Sequence, residues 1–146
     1  MPISSSHETL YWILTCTAVV LLMQAGFTCL ETGMVRAKKS INVAIKNVVD
    51  FCLASLIFWL FGYAFMFGTT QFGLVGTSHF FFDGKTDTQL WTFFLFQLMF
   101  CGTATTIISG SVAERMRFTG YLLVSAIISA LIYPIIGHWV WAGNAN

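Results

Sequence analysis

Four apolar stretches, at about 10–30, 47–67, 90–112 and 118–140, dominate the sequence, and each runs for roughly 20 residues with hardly a charge. At about 1.5 Å per residue, a helix of that length reaches across a hydrocarbon core of about 30 Å. Backbone groups in lipid must be satisfied within a helix or a closed barrel, and these runs lack the alternation of period two that barrel strands need. The expected class is therefore an all-α integral membrane protein with four transmembrane helices. Hydrophobic residues make up 57% of the chain and charged ones 9%, which excludes an ordinary soluble domain. A net charge of +1 leaves no basic surface for nucleic acid. Residues Met1 to Thr9 carry no Lys or Arg, and the apolar run behind them is too long for a signal sequence, so no cleavable leader is expected.

The connections between the spans set an orientation. Arg36, Lys38 and Lys39 lie between the first two spans, and Glu114, Arg115 and Arg117 between the last two. Lys46 stands on the same side, whereas the long loop from about Gly68 to Gln89 holds only Lys85. Basic residues concentrate in cytoplasmic loops, so both short connections are expected in the cytoplasm and the N-terminus outside. Trp12, Trp91, Trp139 and Trp141 all fall at the expected outer interface, where amphipathic rings settle. The long loop combines glycines with Phe80, Phe81 and Phe82 and is expected to fold back over the membrane surface. His79 lacks a second ligand nearby in sequence and reads as a surface or loop-packing histidine rather than a metal ligand.

Cys16, Cys29, Cys52 and Cys101 sit inside apolar runs without the spacing of a zinc or redox motif, and they read as buried thiols. Asn42, Lys46 and Asp50 follow one another at every fourth residue and share a helix face within reach of Glu31, Arg36 or Lys38. That face is either an ion path or a network pinning the cytoplasmic helix ends, with Lys46 snorkelling to the interface; the dry middle of the span favours the network. Rows of small residues, Ala25/Cys29/Gly33, Gly102/Thr106/Gly110 and Ser125/Ser129, allow close helix approach. Pro134 should kink the fourth span or free a carbonyl there.

Phe96 and Phe100 lie one turn apart in the outer half of the third span, and Trp141 ends the fourth. If these helices are neighbours, the rings converge at an outer vestibule and attract a small cation by about 0.5–2 kcal/mol. The alternative is an aromatic belt with lipid-facing phenylalanines, since fifteen phenylalanines offer many candidate pairs.

Several stretches then carry a resemblance: Met23-Gln-Ala-Gly-Phe27, Leu30-Glu-Thr-Gly-Met-Val-Arg-Ala-Lys38, Asn42-Val-Ala-Ile-Lys-Asn-Val-Val-Asp50, Gly62-Tyr-Ala-Phe-Met-Phe-Gly68, Phe96-Gln-Leu-Met-Phe100, Ser109-Gly-Ser-Val-Ala-Glu-Arg-Met-Arg-Phe118 and Tyr133-Pro-Ile-Ile-Gly-His-Trp-Val-Trp141. In this order and at these spacings the sequence resembles the first part of an ammonium transporter of the Amt/Mep/Rh family. The resemblance implies a homotrimer in the plasma or inner membrane, with about eleven helices per subunit enclosing a pore. It implies substrate binding at Phe100 and Trp141, where ammonium or methylammonium is recruited, and a gate at Phe96 and Phe100. It further implies ammonia passage through a hydrophobic channel, with no enzyme activity, catalytic residue, metal or cofactor. Glu114 and Arg115 match the family's charged turn, and His138 matches a structural position rather than a pore histidine. Lys39 departs from the family's usual asparagine.

The sequence ends at Asn146, before the second gate phenylalanine and the pore histidines of that family. Residues 1–146 are expected to form a partial transporter domain that conducts nothing alone, since the inverted-repeat pore needs the later helices. An ammonium-sensing receptor, with a similar membrane domain joined to a signalling domain, is the alternative reading. A four-helix scaffold without a pore is a third.

Overall fold

The computed structural model describes residues 7–71, 73–78, 80–82, 87–112 and 115–141. His79, Lys85 and Glu114, for which the sequence raised expectations, lie outside the described residues. The chain runs through α1 (His7–Met34), a 3₁₀ turn (Ala37–Lys39), α2 (Ser40–Ile57), a π-helical turn (Phe58–Gly62) and α3 (Tyr63–Phe67). A minimal antiparallel hairpin follows, β1 (Thr70–Gln71) with β2 (Val75–Gly76), and then α4 (Thr88–Val112), α5 (Phe118–Ile127), a second π-turn (Ile128–Ile132) and α6 (Tyr133–Trp141).

These elements make four continuous spans, His7–Met34, Ala37–Phe67, Thr88–Val112 and Phe118–Trp141, each long and apolar enough to cross a membrane. The expected four-helix membrane architecture is therefore present. The second span starts well before 47, because Asn42 and Lys46 ride on its first two turns without breaking the helix. Hydropathy marks where a helix becomes apolar, not where it begins.

α4 packs against both α1 and α2, α2 reaches α5, and α3 meets α6. The small-residue row of α4 makes this possible: a Cβ added to Gly102 would lie 2.8 Å from the Phe51 ring and 3.1 Å from Gln24 Nε2. One added to Gly110 would lie 3.2 Å from Glu31 Oε1. Ser125 and Ser129 are likewise buried. The row expected on α1 is different. Ala25, Cys29 and Gly33 are exposed, and α1 turns Thr17, Gln24 and Glu31 inward at seven-residue spacing. That stripe holds the groups that need polar partners, so it faces the neighbour.

The cysteines need a second correction. Only Cys101 is buried, whereas Cys16 is partly exposed and Cys29 and Cys52 are exposed. An apolar run surrounds all four in sequence, but two of them project from faces of α1 and α2 turned away from the bundle.

Each π-turn carries a hydrogen bond five residues long, from the Tyr63 N–H to the Phe58 carbonyl and from the Tyr133 N–H to the Ile128 carbonyl. The two turns face each other, since a Cβ on Gly62 would lie 3.1 Å from the Ser129 carbonyl oxygen. Pro134 lies two residues beyond the end of the second turn and brings no N–H to it. A π-turn leaves carbonyls without helical partners. At the first turn the long loop supplies them: the N–H groups of Phe82 and Phe81 donate to the Trp59 and Leu60 carbonyls at 3.3 and 3.1 Å. The Trp59 indole donates back to the Phe82 carbonyl at 3.1 Å.

Phe82 is thereby driven into the core. It stacks on Phe94 at 4.4 Å and lies 4.5 Å from Tyr63 and 4.9 Å from Trp91, around the fully buried Phe58. Phe80 and Phe81 stay exposed, so the aromatic triplet is split between the bundle core and the loop surface. His138 fastens the hairpin from the other side, with Nδ1 donating to the Met66 carbonyl at 2.8 Å. That bond leaves Nε2 as an acceptor for the Thr70 hydroxyl at 3.3 Å. A histidine tied at both nitrogens has the structural role expected of it.

Candidate aromatic site and buried polar network

Phe96 and Phe100 form an edge-to-face pair with ring centroids 4.9 Å apart. The helix places them together because residues four apart stack on one face. On that face Phe96 is half-buried and Phe100 is exposed, whereas Gly102, against Gln24 and Phe51, and Thr106 are buried. Trp141 is also exposed, and its ring partner is Tyr133 at 6.4 Å. Among the described residues no ring contact joins Trp141 to Phe96 or Phe100.

Tyr133 and Gln97 connect the two aromatic groups. Tyr133 sits eight residues before Trp141 on the same face of α6, packs on Phe58 at 6.1 Å and donates its hydroxyl to Gln97 Oε1 at 3.4 Å. Gln97 is buried beside Phe96 in sequence. Sequence reasoning missed both residues. The eight-residue interval and a lone amide inside an apolar span were the available signals. Gln97 thus ties α4 to α6 from inside the bundle, while the Phe100 and Trp141 rings remain exposed.

A second cluster, wholly buried, ties the opposite ends of the helices. Ser109 Oγ on α4 reaches Glu31 Oε2 on α1 at 3.4 Å and Asn47 Oδ1 on α2 at 3.1 Å. Asp50, fully buried, accepts from the Ser125 hydroxyl on α5. The expected row of Asn42, Lys46 and Asp50 therefore divides. Asn42 is exposed, and Lys46 is half-buried with its ammonium 6.0 Å from the centre of the Tyr121 ring. Asn47, one residue further round the helix, takes the place expected for Lys46. An amide enters a buried cluster at less desolvation cost than an ammonium, which is better left near water.

The fold thus defines a multi-pass α-helical membrane protein with an uncovered aromatic face and a polar lock across its helices. Residues 11–145 match the family model described as Ammonium Transporter Family. The chain is 55% identical over 142 residues to a Synechocystis sp. protein whose name assigns it to ammonium transport, covering 97% of this chain and 26% of that protein. It is 47% identical over 134 residues to the ammonium transporter Amt2 of Archaeoglobus fulgidus, covering 91% of this chain and 29% of Amt2. A solved structure of a sensor Amt protein superposes with a TM-score of 0.87 at 40% identity, covering 92% of this chain and 34% of that one. The chain belongs to the ammonium transporter family and spans roughly a quarter to a third of the length of these relatives.

Proposed function

We propose that this chain is part of a membrane protein that moves ammonium or ammonia across the bilayer, and that it contributes the outer aromatic side of the pore. The Phe96–Phe100 pair carries the reading, because its two rings stand edge to face on α4 and Phe100 is exposed. Trp141 and Phe100 recruit the cation through their ring faces, and Phe96 with Phe100 gates the passage beyond. Stripping water from an ammonium ion in an apolar pore is prohibitively costly, whereas neutral ammonia carries no such penalty. Desolvation favours loss of the proton, which passes to water at the outer entrance, so an ion concentrated at the rings continues as ammonia. Sodium and potassium have no proton to lose and are left behind.

The complete subunit includes the later helices, assembles as a homotrimer in the plasma or inner membrane, and keeps the basic connections in the cytoplasm with the N-terminus outside. Residues 1–146 form one portion of its transport domain. Methylammonium uptake by transporter-deficient cells tests this directly. The full-length protein restores uptake and residues 1–146 alone restore none; uptake by the short chain would overturn the reading.

An ammonium sensor is the second reading, favoured by the likeness to the structure named as a sensor Amt protein. It predicts an ammonium-dependent output from a joined signalling domain in place of uptake.

A further inference from the structure

The last turn of α6 is held by two consecutive side chains. His138, buried, donates from Nδ1 to the Met66 carbonyl at 2.8 Å and accepts at Nε2 from the Thr70 hydroxyl at 3.3 Å. Trp139, exposed, donates from its indole to the Leu74 carbonyl at 3.1 Å. Successive residues of a helix point about 100° apart, and the two bonds reach the hairpin at different places, one on β1 and one just before β2. A single bond would be a pivot. Two fix the rotation of the helix end about its own axis.

The hairpin that receives these bonds is itself seated on α3. Met66 lies in the last turn of α3, where carbonyls lack helical partners and are free to accept from His138. A Cβ added to Gly76 would lie 2.5 Å from the Ala64 carbonyl oxygen and 2.6 Å from the Gly68 nitrogen, so β2 rests backbone against backbone on the end of that helix. The Thr69 N–H donates to the Ser78 hydroxyl at 2.8 Å and the Thr77 N–H to the Thr69 carbonyl at 3.1 Å, which closes the hairpin at its base.

Trp141 ends α6 three residues beyond His138. Its side chain is 53% exposed, and among the described residues it meets one other ring, Tyr133 at 6.4 Å. Its own surroundings do little to place it, so its position follows from the backbone of the last turn. Cation–π attraction needs the ion within about 6 Å of the ring centre, and a ring that wanders loses its ion. Taking Trp141 as the recruiting ring, a role that rests on the transport reading, we propose that the outer hairpin holds this ring in place. Thr70, His138 and Trp139 are then positioning residues for cation recruitment, acting through Trp141 and not on the ion.

The test uses the full-length protein labelled with 5-fluorotryptophan, in which the fluorine resonance lost in Trp141→Leu identifies Trp141. Thr70→Val removes the hydroxyl at nearly constant shape, and Trp139→Phe keeps a ring without the indole N–H. Each should shift or broaden the Trp141 resonance. Each should also raise the half-saturating ammonium concentration on the order of threefold at unchanged maximal rate, within the range open to a weakened cation–π contact. In a Trp141→Leu background neither should raise it further. Thr77→Val, in the same hairpin but bonded only through its backbone N–H, should change nothing. An unmoved Trp141 resonance in both variants would overturn the proposal. So would an equal rise in the Trp141→Leu background, or an unchanged half-saturation in both variants while Trp141→Leu raises it. Failure of the transport reading looks different: Trp141→Leu leaves half-saturation unchanged while the hairpin variants still move the resonance. Should Thr70→Val not insert, Trp139→Phe decides the same question.

Discussion

Ser109 carries a single hydroxyl, yet it touches groups on two other helices: the carboxylate of Glu31 and the amide of Asn47. Its one proton is shared between two buried acceptors, and replacement by alanine would remove the donor that serves them. An unsatisfied buried polar group costs about 1–3 kcal/mol, so Ser109→Ala should lower the unfolding free energy of the full-length protein by about that amount. Ser111 is the control, since it lies exposed two residues away and bonds only its own helix at the Ile108 carbonyl. Ser111→Ala should stay within about 0.5 kcal/mol. Equal loss in the two variants, measured by denaturant titration, would remove the polar lock from the account. At this scale the sequence is a partial guide. It marked Glu31 and Asp50 as groups that must find partners, because charge in an apolar span always must. It did not select Asn47 over Lys46, because the two are adjacent residues about 100° apart round α2 and only the position of α4 and α5 decides which one is enclosed.

The helical elements were legible because their length answers to a bilayer thickness, which any apolar run reports directly. Their irregularities were not. A π-turn at Phe58–Gly62 depends on Phe81 and Phe82 arriving to satisfy Trp59 and Leu60, and that encounter spans more than twenty residues of sequence. The same encounter separates Phe82, inside the core, from Phe80 and Phe81 outside it. Phe82→Ala should therefore act on the element as well as on the core. Truncating a buried phenylalanine costs about 3–5 kcal/mol, and here the loop loses its anchor on Phe94 and Tyr63. Hydrogen exchange should accelerate at the amides of residues 81 and 82 and in the Thr70–Gly76 hairpin, with the middle of α1 unchanged. Exchange that rises uniformly, or not at all at these amides, would show that the loop is held by something other than the aromatic plug.

For the whole molecule, the four spans leave the Phe100 ring of α4 and the end of α6 exposed, and the chain spans about a quarter to a third of the relatives it resembles. Membership of the ammonium transporter family gives the exposed rings a context, and the buried Tyr133–Gln97 hydrogen bond ties α6 to α4 beneath them, a link that motif matching alone did not single out. The aromatic pair itself was legible from a four-residue spacing. Its separation from Trp141 was not, since that depends on how Tyr133 and Gln97 stand between the two helices. The most direct test is the concentration dependence of ammonium-evoked transport in the full-length protein, comparing Trp141→Leu and Phe100→Ala with the parent. Loss of a cation–π contact of about 0.5–2 kcal/mol should raise the half-saturating ammonium concentration by roughly 2- to 30-fold in Trp141→Leu. Phe100→Ala should alter both affinity and maximal rate, with both variants still inserted in the membrane. Unchanged affinity and rate in both would contradict the assignment of these rings to the ammonium entrance.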